Sequence, residues 1–408
     1  MEVGLMSLFV AILLFAQSPD YSAEGLKALE EGKYEAAVQS LAKAVEADPK
    51  DYAAQFHLGL ALSMLGRDAE AVARYKTVLD LKPNLYEAEL NLGMVLLRQK
   101  QAAEAVPHLQ AAALEKPKEF RPSFYLAEAL FAAGEFAKAE EKYLAASDLG
   151  PKSGPAQLGL AQSRARQGRL ADAAGSYRKA AELDPALKSY LLELAEFHEK
   201  QRQPAEAIAI YAEFPDNAGA RERLGELLLE SGKPAEAVPH LEWAAANSPT
   251  AANRLALATS YLRSGQADKA APVLEQAVAA EPRNLDLRMM YGRVLRDQRK
   301  FTEAAREFFQ VAQAKPDSVE AWNELTGMLI LLEQFPQALA ALDRLKALGQ
   351  ETPGHHFFRA MIHDKAGQLK PALESYERFL ATSEGKNPDE EFKARQRIRI
   401  IKRELNRR

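Results

Sequence analysis

Residues 52–85 read YAAQFHLGLALSMLGRDAEAVARYKTVLDLKPNL, and this stretch decides the fold. Apolar residues recur at helical spacing in two blocks, which predicts short amphipathic helices over roughly 53–65 and 69–81. Gly66 between them suits a left-handed helix end, because it has no Cβ to clash. Pro83 closes the unit, since proline lacks an N–H and collides with the preceding turn. Neither helix can bury its stripe within a single pair: Phe56, Leu58 and Leu62 on the first, Ala71, Tyr75 and Val78 on the second. A neighbour is required.

The neighbour is the same unit again. Prolines fall at Pro49, Pro83, Pro117, Pro151 and Pro185, 34 residues apart, and resume at Pro249, Pro282 and Pro316 with steps of 33 and 34. The mid-unit glycine recurs as Gly32, Gly66, Gly134, Gly168, Gly232, Gly265 and Gly367. Five residues after each stands an alanine, from Ala37 and Ala71 to Ala237, Ala270 and Ala372. An aromatic or leucine follows four further on, as in Tyr75, Tyr143, Tyr177, Leu241, Leu274 and Tyr376. The eighth position is small (Gly25, Gly59, Gly93, Ala127, Gly225, Gly292), which lets paired helices approach closely. A helix–turn–helix period of this length marks a solenoid.

In these residues the chain resembles the tetratricopeptide repeat family: Leu58-Gly59, Ala71 and Pro83, then Leu224-Gly225, Ala237 and Pro249. Trp322 alone supplies the tryptophan often found near the start of such repeats. The resemblance covers nearly the whole chain. It implies an all-α fold, a right-handed α-solenoid of about eleven antiparallel helix pairs with a C-terminal capping helix. It also implies protein or peptide partners, bound in a concave groove lined by first helices, without naming them. The family's clamp for C-terminal carboxylates is not implied, because Ser22, Leu26 and Phe56 stand where its Lys and Asn are wanted.

A length of 408 residues would otherwise suggest two or three domains, but a repeat array overrides that prior. Net charge is −4 with 27% charged residues, an ordinary soluble surface without the basic footprint of a nucleic-acid binder. There is no cysteine, which removes disulfides, thiolate metal sites and cysteine nucleophiles.

At the N-terminus, Leu5 to Ala16 run apolar with only Ser7 polar, which reads as a signal-peptide core or membrane anchor over 1–17. Glu2 departs from the usual basic start, and no clean cleavage site follows. The expected location is therefore exported, periplasmic or membrane-anchored, with possible membrane association through residues 5–16; the alternative is a cytoplasmic adaptor or chaperone-like binder. The array occupies 18–386. Its sixth unit is short, because Pro215 arrives four residues early, predicting the loss of about one turn from its second helix and a possible break near 214–219. Pro107, Pro239 and Pro272 lie inside second helices, just past the first turn, so slight kinks are expected rather than breaks. Residues 387–408 carry eight Lys or Arg between 389 and 408 and a stripe of Ala394, Ile398, Ile401 and Leu405, which reads as the cap.

No catalytic motif is present: no phosphate-binding glycine loop, no HExxH, no calcium loop and no nucleophile elbow. The expectation is a non-enzyme with no cofactor, no metal, no nucleic acid and no small-molecule substrate. His108 and His240 share one repeat position within identical EAVPHL segments, so they read as repeat scaffolding. His355, His356 and His363 with Asp364 match no familiar ligand spacing. The candidate surface is the first-helix face. There the early repeats offer Phe56, Leu60, Leu90, Asn91, Met94, Phe124, Tyr125 and Glu128, and the middle repeats offer Glu193, Glu196, Glu222 and Glu226. That pattern predicts a groove for an apolar or amphipathic segment, with the acidic middle orienting a basic flank. The competing expectation is that the apolar residues pack between helices and the glutamates face water.

Overall fold

The computed structural model of the chain describes residues 20–407, so the apolar run at 5–16 lies outside the described residues. Among these residues there are 23 α-helices and no strand, and they fall into two compact units meeting at Ile210 and Tyr211. The first unit stacks antiparallel pairs: α1 (Tyr21–Glu30) with α2 (Tyr34–Ala47), α3 (Tyr52–Met64) with α4 (Asp68–Leu81), and α5 (Tyr86–Arg98) with α6 (Ala102–Glu115). It continues with α7 (Phe120–Ala132) on α8 (Phe136–Leu149) and α9 (Gly154–Arg166) on α10 (Leu170–Leu183), then α11 (Leu191–Lys200) and α12 (Pro204–Tyr211). The second unit pairs α13 (Ala218–Glu230) with α14 (Pro234–Asn247), α15 (Ala251–Arg263) with α16 (Ala267–Ala280), and α17 (Leu285–Asp297) with α18 (Phe301–Ala314). It ends with α19 (Val319–Leu331) on α20 (Phe335–Ala347), α21 (Pro353–Lys365) on α22 (Leu369–Ser383), and the single helix α23 (Pro388–Arg407). Each unit is an all-α solenoid. The helices anticipated at 53–65 and 69–81 are α3 and α4.

First and second helices start by different means. Most first helices carry side-chain caps, α5, α7 and α11 excepted: Asp51 Oδ1 accepts from the N–H groups of Ala53 and Ala54, and Asn217, Thr250, Asn284 and Ser318 accept from one N–H each of their helices. Second helices begin just after a left-handed residue, with one N-cap residue between, as Gly66 at φ 72° is followed by Arg67 at φ −81°. Four units lack that glycine, yet Lys100, Arg202, Arg299 and Glu333 hold the same left-handed conformation at φ 55–61°. The turn is dictated by the packing of the two helices, and the residue tolerates it.

Between the paired helices the small eighth position has the expected use. A Cβ on Gly93 would run into the Leu109 side chain, so α5 and α6 approach as closely as they do only because none is present. Leu41, Leu58, Tyr75, Leu92, Leu109 and Leu126, all at most 3% exposed, form a continuous core through α2–α7. Each such side chain contributes about 1.5–3 kcal/mol relative to exposure. Helices α6, α14 and α16 run through Pro107, Pro239 and Pro272 without a break.

The sixth unit departs further from the repeat than its spacing predicts. Asp184 caps a 3₁₀ turn over Pro185–Tyr190, so α11 begins late and has 10 residues. Its partner α12 has 8 residues against 14 in α10, a loss of six rather than four. At the far end, Ala394 and Ile401 of α23 are fully buried against Ala360, Tyr376 and Phe379, while Arg397 makes a two-pronged ion pair with Asp364 at 2.7 and 2.6 Å.

Candidate functional site

Helices α3, α5 and α7 lie in order in the first unit and present their exposed flanks side by side. Between them opens a cleft of about 450 Å³, lined by Asn91, Met94 and Arg98 of α5, Tyr125 and Glu128 of α7, and Ser63 of α3. Helical spacing puts Asn91, Met94 and Arg98 on one face of α5, three and four residues apart. The cleft walls are held by polar contacts made within the protein. Arg98 forms a bidentate ion pair with Asp68, with Nε 2.7 Å from Oδ2, and its Nη2 also donates to the carbonyl and hydroxyl of Ser63 at 3.1 and 3.0 Å. These contacts raise the guanidinium pKa, chiefly through the Asp68 hydrogen bond, so Arg98 stays charged. Glu128 accepts a short hydrogen bond from the Tyr143 hydroxyl. Burial, reinforced by the Glu128 charge, pushes the Tyr143 pKa well up, so the phenol remains a donor.

Four expected residues therefore converge: Asn91, Met94, Tyr125 and Glu128. The others are placed differently. Leu90 is 4% exposed and belongs to the core beneath the cleft, so it cannot touch a partner. Phe124 packs in an aromatic cluster with Phe120, Tyr125 and Tyr143, at centroid distances of 5.3, 5.5 and 6.1 Å. Phe56 rests on Tyr75 at 5.8 Å, and Leu60 is half-buried on α3. Phe56 and Phe124 pack against the first-unit core while remaining half-buried.

Glu193 and Glu196 stand on α11 in the first unit, Glu222 and Glu226 on α13 in the second. Glu193 accepts from Gln162 Nε2 at 2.9 Å and from the Tyr177 hydroxyl at 3.2 Å. Glu226 pairs with Arg223 at 2.7 Å. Those two carboxylates have internal partners, which reduces the free negative charge expected of the middle repeats, while Glu196 is exposed and Glu222 half-buried.

Arg98 was not anticipated. Its role is visible only across the repeat boundary, since its partner Asp68 is 30 residues away. Several of the histidines have polar partners within the protein. His108 Nδ1 lies 2.6 Å from Glu89, His363 Nδ1 lies 2.6 Å from Gln368 Oε1, and His355 Nδ1 accepts from the Thr352 N–H at 3.1 Å. Asp364 is taken by Arg397 and Tyr376. The cleft thus offers an amide, a thioether, a phenol and a carboxylate around a fixed cation, groups suited to hydrogen bonding and apolar contact.

A sequence model of the tetratricopeptide repeat matches residues 22–86, 90–154, 158–218, 200–252 and 255–319. Among solved structures, MamA from Desulfovibrio magneticus RS-1 is 28% identical, covering 41% of this chain and 94% of that one, with a TM-score of 0.39. A MamA structure from AMB-1 is also 28% identical, covering 41% of this chain and 99% of its own, with a TM-score of 0.39. YrrB, described as a TPR protein with an unusual peptide-binding site, is 21% identical over 40% of this chain and 85% of its own, with a TM-score of 0.39. No curated protein matches this chain.

Proposed function

We take as premise that the chain belongs to the tetratricopeptide repeat family, and we propose that it is a non-catalytic scaffold binding partner protein segments through the first-unit cleft. The single observation that carries this is the convergence of Asn91, Met94, Tyr125 and Glu128, from two neighbouring first helices, on one open cleft beside the anchored Arg98. Asn91 has both a donor and an acceptor for a peptide backbone, and Met94 gives an adaptable apolar contact. The Arg98–Asp68 pair holds the floor in place before a partner arrives, which lowers the ordering cost of binding.

The test is crosslinking pull-down from the native cell, comparing wild type with Asn91→Ala/Tyr125→Ala after circular dichroism shows equal helicity. Loss of specific partners from the variant supports the cleft. An unchanged partner list overturns it. Leu90 is unsuitable for this purpose, since a substitution there reports on the core.

The same proposal places the scaffold in the cell envelope, exported or held at a membrane. The support is the Leu5–Ala16 apolar run. Among the described residues no helix is long and apolar enough to cross a membrane. Fractionating cells that express the full chain or a chain lacking residues 1–17 tests the location. If both versions stay in the cytosolic fraction, the cytosolic adaptor replaces the envelope scaffold.

A further inference from the structure

A second groove lies in the second unit, where a polar pair found in other repeats is replaced. In three helix pairs, a side chain on the first helix contacts one 19 residues later on the second. In the early repeats the occupants are Gln55 with Arg74, at 3.3 Å, and Glu89 with His108, at 2.6 Å. On α17 and α18 they are Arg288 and Glu307, at 2.6 Å. The next pair keeps the spacing but replaces both members: Trp322 on α19 and Ala341 on α20. A polar bridge has become an indole opposite a methyl group.

The result is a cleft of about 520 Å³ between α18, α19 and α20. Leu325, Leu329 and Ala341, all at most 6% exposed, form its floor. Phe309, 42% exposed, and Trp322 form its walls. The Trp322 indole N–H donates to the Pro316 carbonyl at 3.0 Å, and Arg344 Nε donates to the same oxygen at 3.4 Å, so indole and guanidinium are both held at one side. Arg306 stands at the rim, with a side chain 67% exposed; its 3.4 Å contact is with Glu307, whose shorter bond goes to Arg288. Among the described residues no carboxylate lines the cleft. An apolar hollow edged by two guanidinium groups complements one kind of surface: an apolar side chain with carboxylates beside it.

We propose that this groove is a second protein-binding site, which takes a partner segment inserting a leucine- or phenylalanine-sized side chain and placing an adjacent glutamate or aspartate on Arg344 and Arg306. Exclusion of water from Phe309 and Trp322 supplies the favourable apolar term, and the arginines select the charge of the flanks. The site is separate in sequence and unit from the cleft of α3, α5 and α7, so the chain can engage two segments of different character. Two linked sites of modest affinity give high avidity when one partner reaches both.

Fluorescence anisotropy on the full chain tests this with two short labelled peptides. They share one leucine- and phenylalanine-bearing core and differ only in glutamate or lysine flanks. The glutamate-flanked peptide is expected to bind about tenfold more tightly, as a charge-assisted pair of ordinary strength gives. Arg344→Glu is expected to remove that preference, and Ala340→Glu, an exposed position at the mouth, to abolish binding of the glutamate-flanked peptide. In a Trp243→Phe chain, where Trp322 is the sole tryptophan, binding is expected to shift the emission to shorter wavelength. All variants are first checked for unchanged helicity. Equal affinity for both peptides, no binding by either, or a preference that survives Arg344→Glu overturns the proposal. A tryptophan shift produced by dodecanoate but by neither peptide also overturns it, and marks the cleft as a site for small amphiphiles.

Discussion

At the scale of single residues, the turn between paired helices shows a conformation imposed from outside the residue. Arg299 is exposed and sits at φ 61°, where the helix end closes through Lys300 N–H to the Leu295 carbonyl at 2.8 Å. An L-residue in this region costs about 1–2 kcal/mol, and glycine returns about half of that gain through its freer unfolded state. Arg299→Gly is therefore expected to stabilise the protein by about 0.5–1 kcal/mol, read as a raised denaturant midpoint with an unchanged slope. The opposite change is expected at Ala237, which is fully buried at the close approach of α13 and α14. Ala237→Leu overfills that contact and costs about 1–3 kcal/mol. A melt identical to wild type would show that α14 does not present this face.

At the scale of elements, α21 starts with a pH-sensitive device. Thr352 accepts from the His355 N–H, and His355 Nδ1 accepts from the Thr352 N–H, a capping box in which the imidazole must be neutral. Burial, the largest influence, holds the His355 pKa below the ordinary imidazole value; the Gln350 backbone and Glu351 act the other way. His356 is lowered too, again mainly by burial. The unfolded chain therefore takes up protons at a higher pH than the folded one. Stability from these groups is complete above about 6.5 and declines as pH falls from there through the lower folded values. The expected observation is a lower thermal midpoint at pH 5.5 than at pH 8. His355→Gln, which keeps an acceptor at that position, is expected to lessen the dependence. A pH profile unaffected by the substitution would remove His355 from the explanation.

At the scale of the whole molecule, the sequential packing of helices makes stability nearly a sum over neighbours. The cap α23 touches the last pair through Ala394, Ile398, Ile401 and Leu405 and through the Arg397–Asp364 ion pair. Deleting residues 388–408 is expected to lower hydrogen-exchange protection in α21 and α22, with no change in α3–α6. A uniform loss across all helices would instead mean that the array unfolds as one cooperative body.

Much of this protein was determined by sequence alone. Proline and glycine spacing, with alanine and aromatic positions between, located α3 and α4 to within a residue, and nearest-neighbour geometry made the solenoid its consequence. That works because each unit is short, local and repeated, so the same physical requirement is written many times. The candidate cleft was legible only in part. Asn91, Met94, Tyr125 and Glu128 line the cleft, but Leu90, at the neighbouring position, points into the core, a distinction of one helical step that depends on how α5 rotates against its neighbours. The tertiary structure alone decided three further things: the 3₁₀ turn that shortens α11, the Arg98–Asp68 clamp, and the open groove at Trp322 and Ala341. In each, the deciding partner lies on another helix, and the volume or charge it leaves is a property of packing, which no single stretch of residues contains.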